Sequence, residues 1–321
     1  MVKLVAEIGC NHKGDFNIAK NMIAVAASCG ADVVKFQKRN NMELLGIEEY
    51  NKPHPVPSNS YGKSYGLHRD YLEFDIKQHT ELKNLCKSLN IIYSVSVWDI
   101  ISTKEIVKIN PEFIKIPSAT NLNFEIHNYL VNNYKGKIHI SLGMTSEEEI
   151  TSIINFYREN KKLNNLVLYA CTSGYPVPAH DLCLLEIEKI MRLYGNDINA
   201  FGFSGHHNGI APDIAALTIG QIQGKNIKAK FEFIERHFTL DRTWKGTDHA
   251  ASLEPEGLRK LCRDLKNTLS AISYKKEDIL DIEKPTRKKL KDFGKNQRLL
   301  NNVTAINILS VNENNIEKKY I

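Results

Sequence analysis

Residues 4–37 read LVAEIGCNHKGDFNIAKNMIAVAASCGADVVKFQ. LVAEIG (4–9) and VVKFQ (33–37) are short apolar runs rich in β-branched residues, the composition of buried strands. Between them, FNIAKNMIAVAASCG carries its apolar residues at the spacing of a helix face. Two strands joined through a helix run parallel, because the crossover returns the chain to the end of the sheet it left. The turn after the first strand, GCNHKG, is not the GxGxxG of a dinucleotide-binding fold, so an open doubly wound sheet is the runner-up architecture.

The unit repeats along the chain. YSVSVW (93–98), FIKIPS (113–118), KIHISLG (137–143), LVLYACT (166–172), AFGFSGH (200–206) and FEFIERHF (231–238) bring the candidate strands to eight, with amphipathic segments between them. Eight alternating β and α elements favour closure into an α/β fold of the (β/α)₈ TIM-barrel type. Such a barrel takes about 250 residues, so a chain of 321 residues holds one barrel and a short extension. The barrel is expected over residues 1–282, and residues 283–321 are expected to form a C-terminal helix and a weakly ordered tail. Residues 38–76 interrupt the alternation with a long polar, proline-bearing insert, which reads as a lid.

Composition narrows the class. Hydrophobic residues make up 42% and charged residues 25%, ordinary values for a globular protein with a substantial core. The net charge of +6 comes from scattered residues until KPTRKKLKDFGK (284–295), which holds six Lys and Arg and reads as a solvated surface rather than a nucleic-acid site. The N-terminus lacks an apolar run of signal-peptide length, and no segment approaches the roughly 20 apolar residues of a membrane span, so a cytoplasmic location is expected. The six cysteines form no CxxC pair and read as buried free thiols.

In a barrel of this kind the polar residues at the C-terminal strand ends build the site. Side chains alternate along a strand, so Glu235 and His237 share a face with Phe233 while Ile234, Arg236 and Phe238 face the helices. The same parity groups Lys35 with Gln37 and Ser204 with His206, puts Lys115 inward with Ser118 just past the end of its strand, and adds Glu7. Ser173 and Tyr175 of CTSGYP stand at the mouth. Each alone reads as half of a structural ion pair or as a hydrogen-bonded core histidine. Burying Lys35, Lys115, Glu7, Glu235 and two histidines together costs several kcal/mol per uncompensated charge, which points to a bound partner. Lysines beside serines suit a phosphate and a carboxylate. His206 and His237, on neighbouring strands, suit one divalent ion with open positions.

AEIGCNHKGD, GADVVKFQ, IKIPS, ISLGM, CTSGYP, GFSGHHNGIAPDIAA and FIERHFTLDRTWKGTDHAASLEP, in that order over about residues 3 to 270, resemble the N-acetylneuraminate (sialic acid) synthase family. The resemblance implies a (β/α)₈ transferase that joins phosphoenolpyruvate to an N-acetylmannosamine-type aldehyde, giving a nine-carbon 2-keto acid and phosphate. It implies a divalent metal, with Mn²⁺ first and Mg²⁺ or Co²⁺ as alternatives, held by His206 and His237. Lys35, Lys115, Ser118, Ser141, Ser173 and Ser204 fall where family members contact phosphoenolpyruvate. Glu7, Gln37, Tyr175, Glu235 and Asp248 fall where they line the sugar and the reaction centre. His207, Trp244 and His249 are loop residues open to substrate contact. The implied partners are phosphoenolpyruvate and an N-acyl amino sugar, not nucleic acid or membrane, and a homodimer is an assembly the family allows.

The chain departs from the family at Gly205, often Asp, and at Ser173, often Asn. The small antifreeze-like domain that ends many members, and that donates an Arg to the sugar's acyl group, is expected to be absent, leaving Arg298 or the 38–76 insert as substitutes. Two other enzymes stay open: another phosphoenolpyruvate-dependent 2-keto-3-deoxy sugar acid synthase, and a Schiff-base aldolase working through Lys35 or Lys115. A polyanion-binding protein centred on 284–295 leaves the barrel-mouth charges unexplained.

Overall fold

Eight strands close into a parallel barrel in chain order: β1 (Lys3–Gly9), β2 (Val33–Lys38), β3 (Ile92–Val97), β4 (Phe113–Ile116), β5 (Lys137–Ser141), β6 (Leu166–Cys171), β7 (Ala200–Gly205) and β8 (Lys230–His237). The computed structural model describes residues 2–291. Each strand pairs with the next and β8 returns to β1, so no edge is left unpaired. The apolar runs of the sequence are these strands, displaced by no more than a residue or two where the last residues of a run turn out into the mouth.

The helices start where the sequence supplies an acceptor for their free N–H groups. α1 (Phe16–Cys29) is capped by Asp15, whose side chain accepts from the backbone N–H of Asn17 and Ile18, and it stops at Gly30, which adopts φ +92°. The insert after β2 carries three short helices, α2 (Asn41–Leu44), α3 (Ile47–Asn51) and α4 (Tyr65–Tyr71). α5 (Ile76–Ser88) then opens on a reciprocal box between Asp75 and Gln78. α6 (Ile100–Ile109), α7 (Phe124–Asn133), α8 (Glu147–Glu159), α9 (Leu185–Tyr194), α10 (Ala211–Gln223) and α11 (Pro255–Ala271) complete the outer ring.

The core has two layers. Outward-facing strand residues such as Ile8, Phe36, Val95, Ile140 and Ile234 pack under the helices. Inward-facing Val5, Val33, Phe113, Val167, Tyr169 and Phe233 fill the N-terminal half of the barrel. Full burial of each large apolar side chain stabilises by about 1.5–3 kcal/mol, and the inner group forms a floor beneath the polar residues further along the same strands. His139 belongs to that floor: its ring stacks on Phe113 at 3.8 Å and meets the Tyr169 hydroxyl at 2.8 Å. Burial holds it well below its ordinary pKa and therefore neutral.

The insert is tied to the loop after β8. The Tyr61 hydroxyl donates to the Lys245 carbonyl at 2.5 Å, the Lys245 ammonium stands over the Tyr61 ring, and Tyr61 stacks on Tyr71. The compact unit that holds the barrel runs from the N-terminus to Ile272, just past the end of α11 at Ala271. The second unit begins at Ser273, and its described part contains α12 (Lys284–Lys291). Of the expected helix and tail over 283–321, residues 292–321, Arg298 included, lie outside the described residues. No helix among the described residues is long and apolar enough to cross a membrane. All six cysteines are free; Cys29, Cys86 and Cys262 are buried as expected, whereas Cys10 and Cys171 are partly buried and Cys183 is exposed.

Candidate active site

A cavity of about 290 Å³ opens at the C-terminal ends of the strands. Strand register decides who meets whom there. Glu7 on β1 lies opposite both Lys35 on β2 and His237 on β8, and Ser204 on β7 lies opposite Glu235. The expected strand-end residues on every contributing strand line this one cavity: the lysines Lys35 and Lys115, the glutamates Glu7 and Glu235, Gln37, the serines Ser118, Ser141, Ser173 and Ser204, Tyr175, and both histidines.

The charges form one network. The Lys35 ammonium is 2.6 Å from Glu7 and 3.6 Å from Glu235, and it donates to Ser96 Oγ at 2.6 Å. Lys115 donates to Glu235 at 2.7 Å and reaches Ser204 at 3.5 Å. Two cations and two anions, none more than 4% exposed, make the resting site internally neutral. Burial pushes the Glu235 carboxyl up, but the Lys115 and Lys35 ammoniums outweigh it and hold it at about 2. Burial lowers Lys115, opposed by Glu235. The arrangement keeps the pair ionised, yet Glu235 Oε2 is buried with no hydrogen-bond partner. A buried acceptor left open in a cavity is a place for a substrate group or a water.

The serines sit on a close approach of loops. Gly143 donates its N–H to Ser118 Oγ at 3.0 Å, and a Cβ at Gly143 would lie 2.4 Å from Ser173 Oγ and 2.8 Å from Ser118 Oγ. Glycine is required there to bring the two hydroxyls together.

One of the two histidines is prepared as a neutral ligand. His206 Nδ1 faces the Thr172 carbonyl at 3.1 Å and so carries the proton, which leaves Nε2 with its lone pair. Burial pushes this ring down to about 3. His237 Nδ1 is buried without a hydrogen-bond partner. The two ring centres are 5.4 Å apart, and the Tyr175 ring lies 4.3 Å from that of His206. At Gly205 a Cβ would come within 2.7 Å of the His207 ring, which occupies the space a side chain there would take.

Asp248, His207, Trp244 and His249 stand apart from the residues that line the cavity. Asp248 does not line the cavity; it stands behind His237, 3.9 Å from Nδ1. Burial raises its carboxyl, but His237, Thr247, Arg69 and Arg39 outweigh that and hold it below its ordinary value. His207 turns away from the cavity, where Arg236 donates to its Nε2 and to its carbonyl, and Arg236 also pairs with Asp213, all three side chains being buried. That cluster anchors the loop carrying His206. Trp244 and His249 likewise serve their own loop: Lys13 covers the Trp244 ring at 4.1 Å, and His249 meets Thr239 Oγ1 at 2.8 Å.

Sequence reasoning missed Ser96, Trp98, Met144 and Cys171, which also line the cavity. YSVSVW did carry a signal, since Ser94 and Ser96 alternate with Val95 and Val97 at strand period. Met144 and Cys171 had none. Among the described residues there is no group of three or more His, Cys, Asp or Glu that could hold a metal ion, so any ion here would rest on the two histidines and on oxygen atoms from outside the chain.

The NeuB family model matches residues 22–277. The N-acetylneuraminate-9-phosphate synthase of Homo sapiens is 36% identical over 290 residues, covering 89% of this chain and 76% of that protein. The N,N'-diacetyllegionaminic acid synthase of Campylobacter jejuni is 32% identical over 270 residues, covering 84% and 77%. Among solved structures, the N-acetylneuraminic acid (sialic acid) synthetase of Leptospira borgpetersenii, crystallised with citrate, superposes with a TM-score of 0.72 at 26% identity over 91% of this chain and 93% of that one.

Proposed function

Since the chain belongs to the NeuB family, we propose that it condenses phosphoenolpyruvate with an N-acyl amino-sugar aldehyde, N-acetylmannosamine or a near relative, to a nine-carbon 2-keto acid and phosphate. The observation that supports this most directly is the single cavity in which two ion-paired lysines, four serine hydroxyls and two histidines converge. The relatives named above include a 9-phosphate synthase and a diacetyllegionaminic acid synthase, so kinship alone leaves the acceptor's substituents open.

The residues fit a divalent ion. His206 presents an unprotonated Nε2, and His237 has a buried nitrogen with no partner. Bound by these two imidazoles, the ion would act as a Lewis acid toward the sugar's carbonyl oxygen.

The chain's own groups do the rest. Lys35 and Lys115 hold the phosphate and carboxylate of phosphoenolpyruvate, and Ser118, Ser141, Ser173 and Ser204 add neutral donors, so that C3 of the enol faces the aldehyde carbon. As the new carbon–carbon bond forms, positive charge develops at C2. Glu7 and Glu235 line the same cavity. They stabilise that charge and provide a site for the proton of the water that adds there. Phosphate then leaves from C2 as the ketone forms. Gln37 donates to Glu7 at 2.8 Å and fixes its orientation. Tyr175, at the mouth and 52% exposed, stands where the sugar enters, and Asp248 backs His237.

The Schiff-base reading fits less well, because an imine needs a neutral amine and both lysines are ammoniums paired with carboxylates. The test is phosphate release on mixing metal-stripped protein with phosphoenolpyruvate and N-acetylmannosamine, with and without Mn²⁺, beside His237→Ala. Release that needs the metal and vanishes in the variant is expected. Turnover that survives a chelator and is trapped by borohydride would instead establish the aldolase.

A further inference from the structure

A second cavity, of about 230 Å³, adjoins the first and shares Trp98 and Ala119 with it as walls. Its other walls come mainly from the insert, including Arg39, Tyr65 and Arg69, and from Thr120 after β4. Among the described residues, no acidic side chain lines it. Arg39 is 6% exposed, lies 4.0 Å above the Trp98 ring and pairs with Glu73 at 3.4 Å. Arg69 donates through Nε and one terminal nitrogen to the Tyr65 hydroxyl at 3.1 and 3.0 Å. Among the described residues it has no carboxylate within ion-pair distance, and its neighbour Asp70 is engaged by Asn41 and Tyr50. Trp98 Nε1 and Thr120 Oγ1 are both buried with no hydrogen-bond partner.

These observations separate the two cavities by charge. In the first, lysines and glutamates cancel. In the second, Arg39 is ion-paired, Arg69 forms no ion pair among the described residues and feels only the more distant charge of Asp248, and two further polar groups on the walls are unsatisfied. A buried indole N–H can only donate, and a partly buried guanidinium without an anion is costly, so the cavity is built to receive acceptor oxygens with negative charge.

We propose that this second cavity is a subsite for a phosphoryl group on the far end of the acceptor sugar, making the chain selective for a phosphorylated amino sugar over the free one. The inference rests on the function proposed above. Phosphoenolpyruvate occupies the lysines of the first cavity, so the anion of the second belongs to the other substrate. A phosphoryl dianion offers three oxygens, enough to engage the remaining N–H groups of Arg69 and to satisfy the Trp98 N–H and the Thr120 hydroxyl together. A neutral acyl carbonyl offers one oxygen and would leave Arg69 without a counter-ion. Shared walls allow one sugar to place its aldehyde at the histidines and its other end here.

The experiment compares N-acetylmannosamine 6-phosphate with N-acetylmannosamine, as kcat/KM by phosphate release and as affinity by calorimetry, in the full-length protein and in Arg69→Met and Arg69→Lys. The wild type is expected to prefer the phosphorylated sugar by at least tenfold. Arg69→Met should raise KM for it by about 10- to 100-fold, the loss of a charged hydrogen-bonded pair, so that the preference collapses, while KM for phosphoenolpyruvate stays within twofold. Arg69→Lys should recover part of the loss by keeping the charge without the fork. Equal use of the two sugars by the wild type, or equal losses on both in Arg69→Met, would overturn the subsite and leave the proposed reaction standing. Should neither sugar release phosphate, the proposed reaction fails. Calorimetry then decides the subsite alone: tight 6-phosphate binding abolished by Arg69→Met upholds it, and its absence overturns it.

Discussion

Gly143 shows how much a single missing side chain does in this site. The two hydroxyls that meet over it, Ser118 and Ser173, approach a position where any Cβ would overlap them. Gly143→Ala must push at least one hydroxyl out of the cavity without unfolding anything, since the residue closes a loop rather than a core. The expected outcome is a KM for phosphoenolpyruvate raised by about 10- to 100-fold, the value of a lost hydrogen bond to a charged group, with the thermal unfolding midpoint close to that of the wild type. An unaltered KM would mean that the serines do not meet the phosphate. At the same scale, Gly205, one of the two departures from the family pattern, is accommodated locally. Gly205 leaves room for the His207 ring, and the Thr172 carbonyl supports His206.

Among the elements, the joint between α7 and α8 carries a pH dependence of its own. His127 on α7 is buried, accepts at Nδ1 from the Tyr157 hydroxyl of α8 at 2.9 Å, and donates from Nε2 to the Asn121 carbonyl at 2.8 Å. Burial lowers it from 6.5 to about 4. As pH falls below about 6.5 the unfolded chain takes up this proton while the folded chain does not, so folding loses stability on acidification by up to about 1.4 kcal/mol per pH unit until about pH 4. Above 6.5 both states are neutral here and the group contributes no slope. Other buried histidines act in the same direction, so the variant isolates the effect. His127→Gln should show a smaller fall in urea midpoint between pH 7 and pH 5 than the wild type, and parallel curves would sink the assignment.

On the scale of the whole barrel, folding and chemistry occupy different ends of the same strands. The apolar floor of Val5, Phe113, Tyr169 and Phe233 holds the N-terminal half, and the titratable residues occupy the mouth. The histidines can then bind an ion that the fold does not need. In differential scanning, adding Mn²⁺ to the metal-stripped protein is expected to raise the unfolding midpoint, as any ligand of the native state does. The rise should be absent in His237→Ala, whose midpoint without metal should stay near that of the wild type. A metal-dependent rise that persists in the variant would move the site elsewhere.

The strands, the parity of their side chains and the glycine-bearing turns were legible in the chain because each depends on local backbone geometry: a strand alternates its faces whatever it pairs with, so Glu235 and His237 had to point opposite to Arg236. Barrel closure followed from eight such units. What only the tertiary structure decided is which groups meet across the barrel. Lys115 finds Glu235 across 120 residues of chain separation, Asp248 stops behind His237, His207 turns to Arg236 and Asp213, and Arg39 and Arg69 of the insert close a second cavity against Trp98. These pairings depend on the stagger of eight strands and on the path of long loops, which are set by packing among distant segments and leave no local pattern in the sequence.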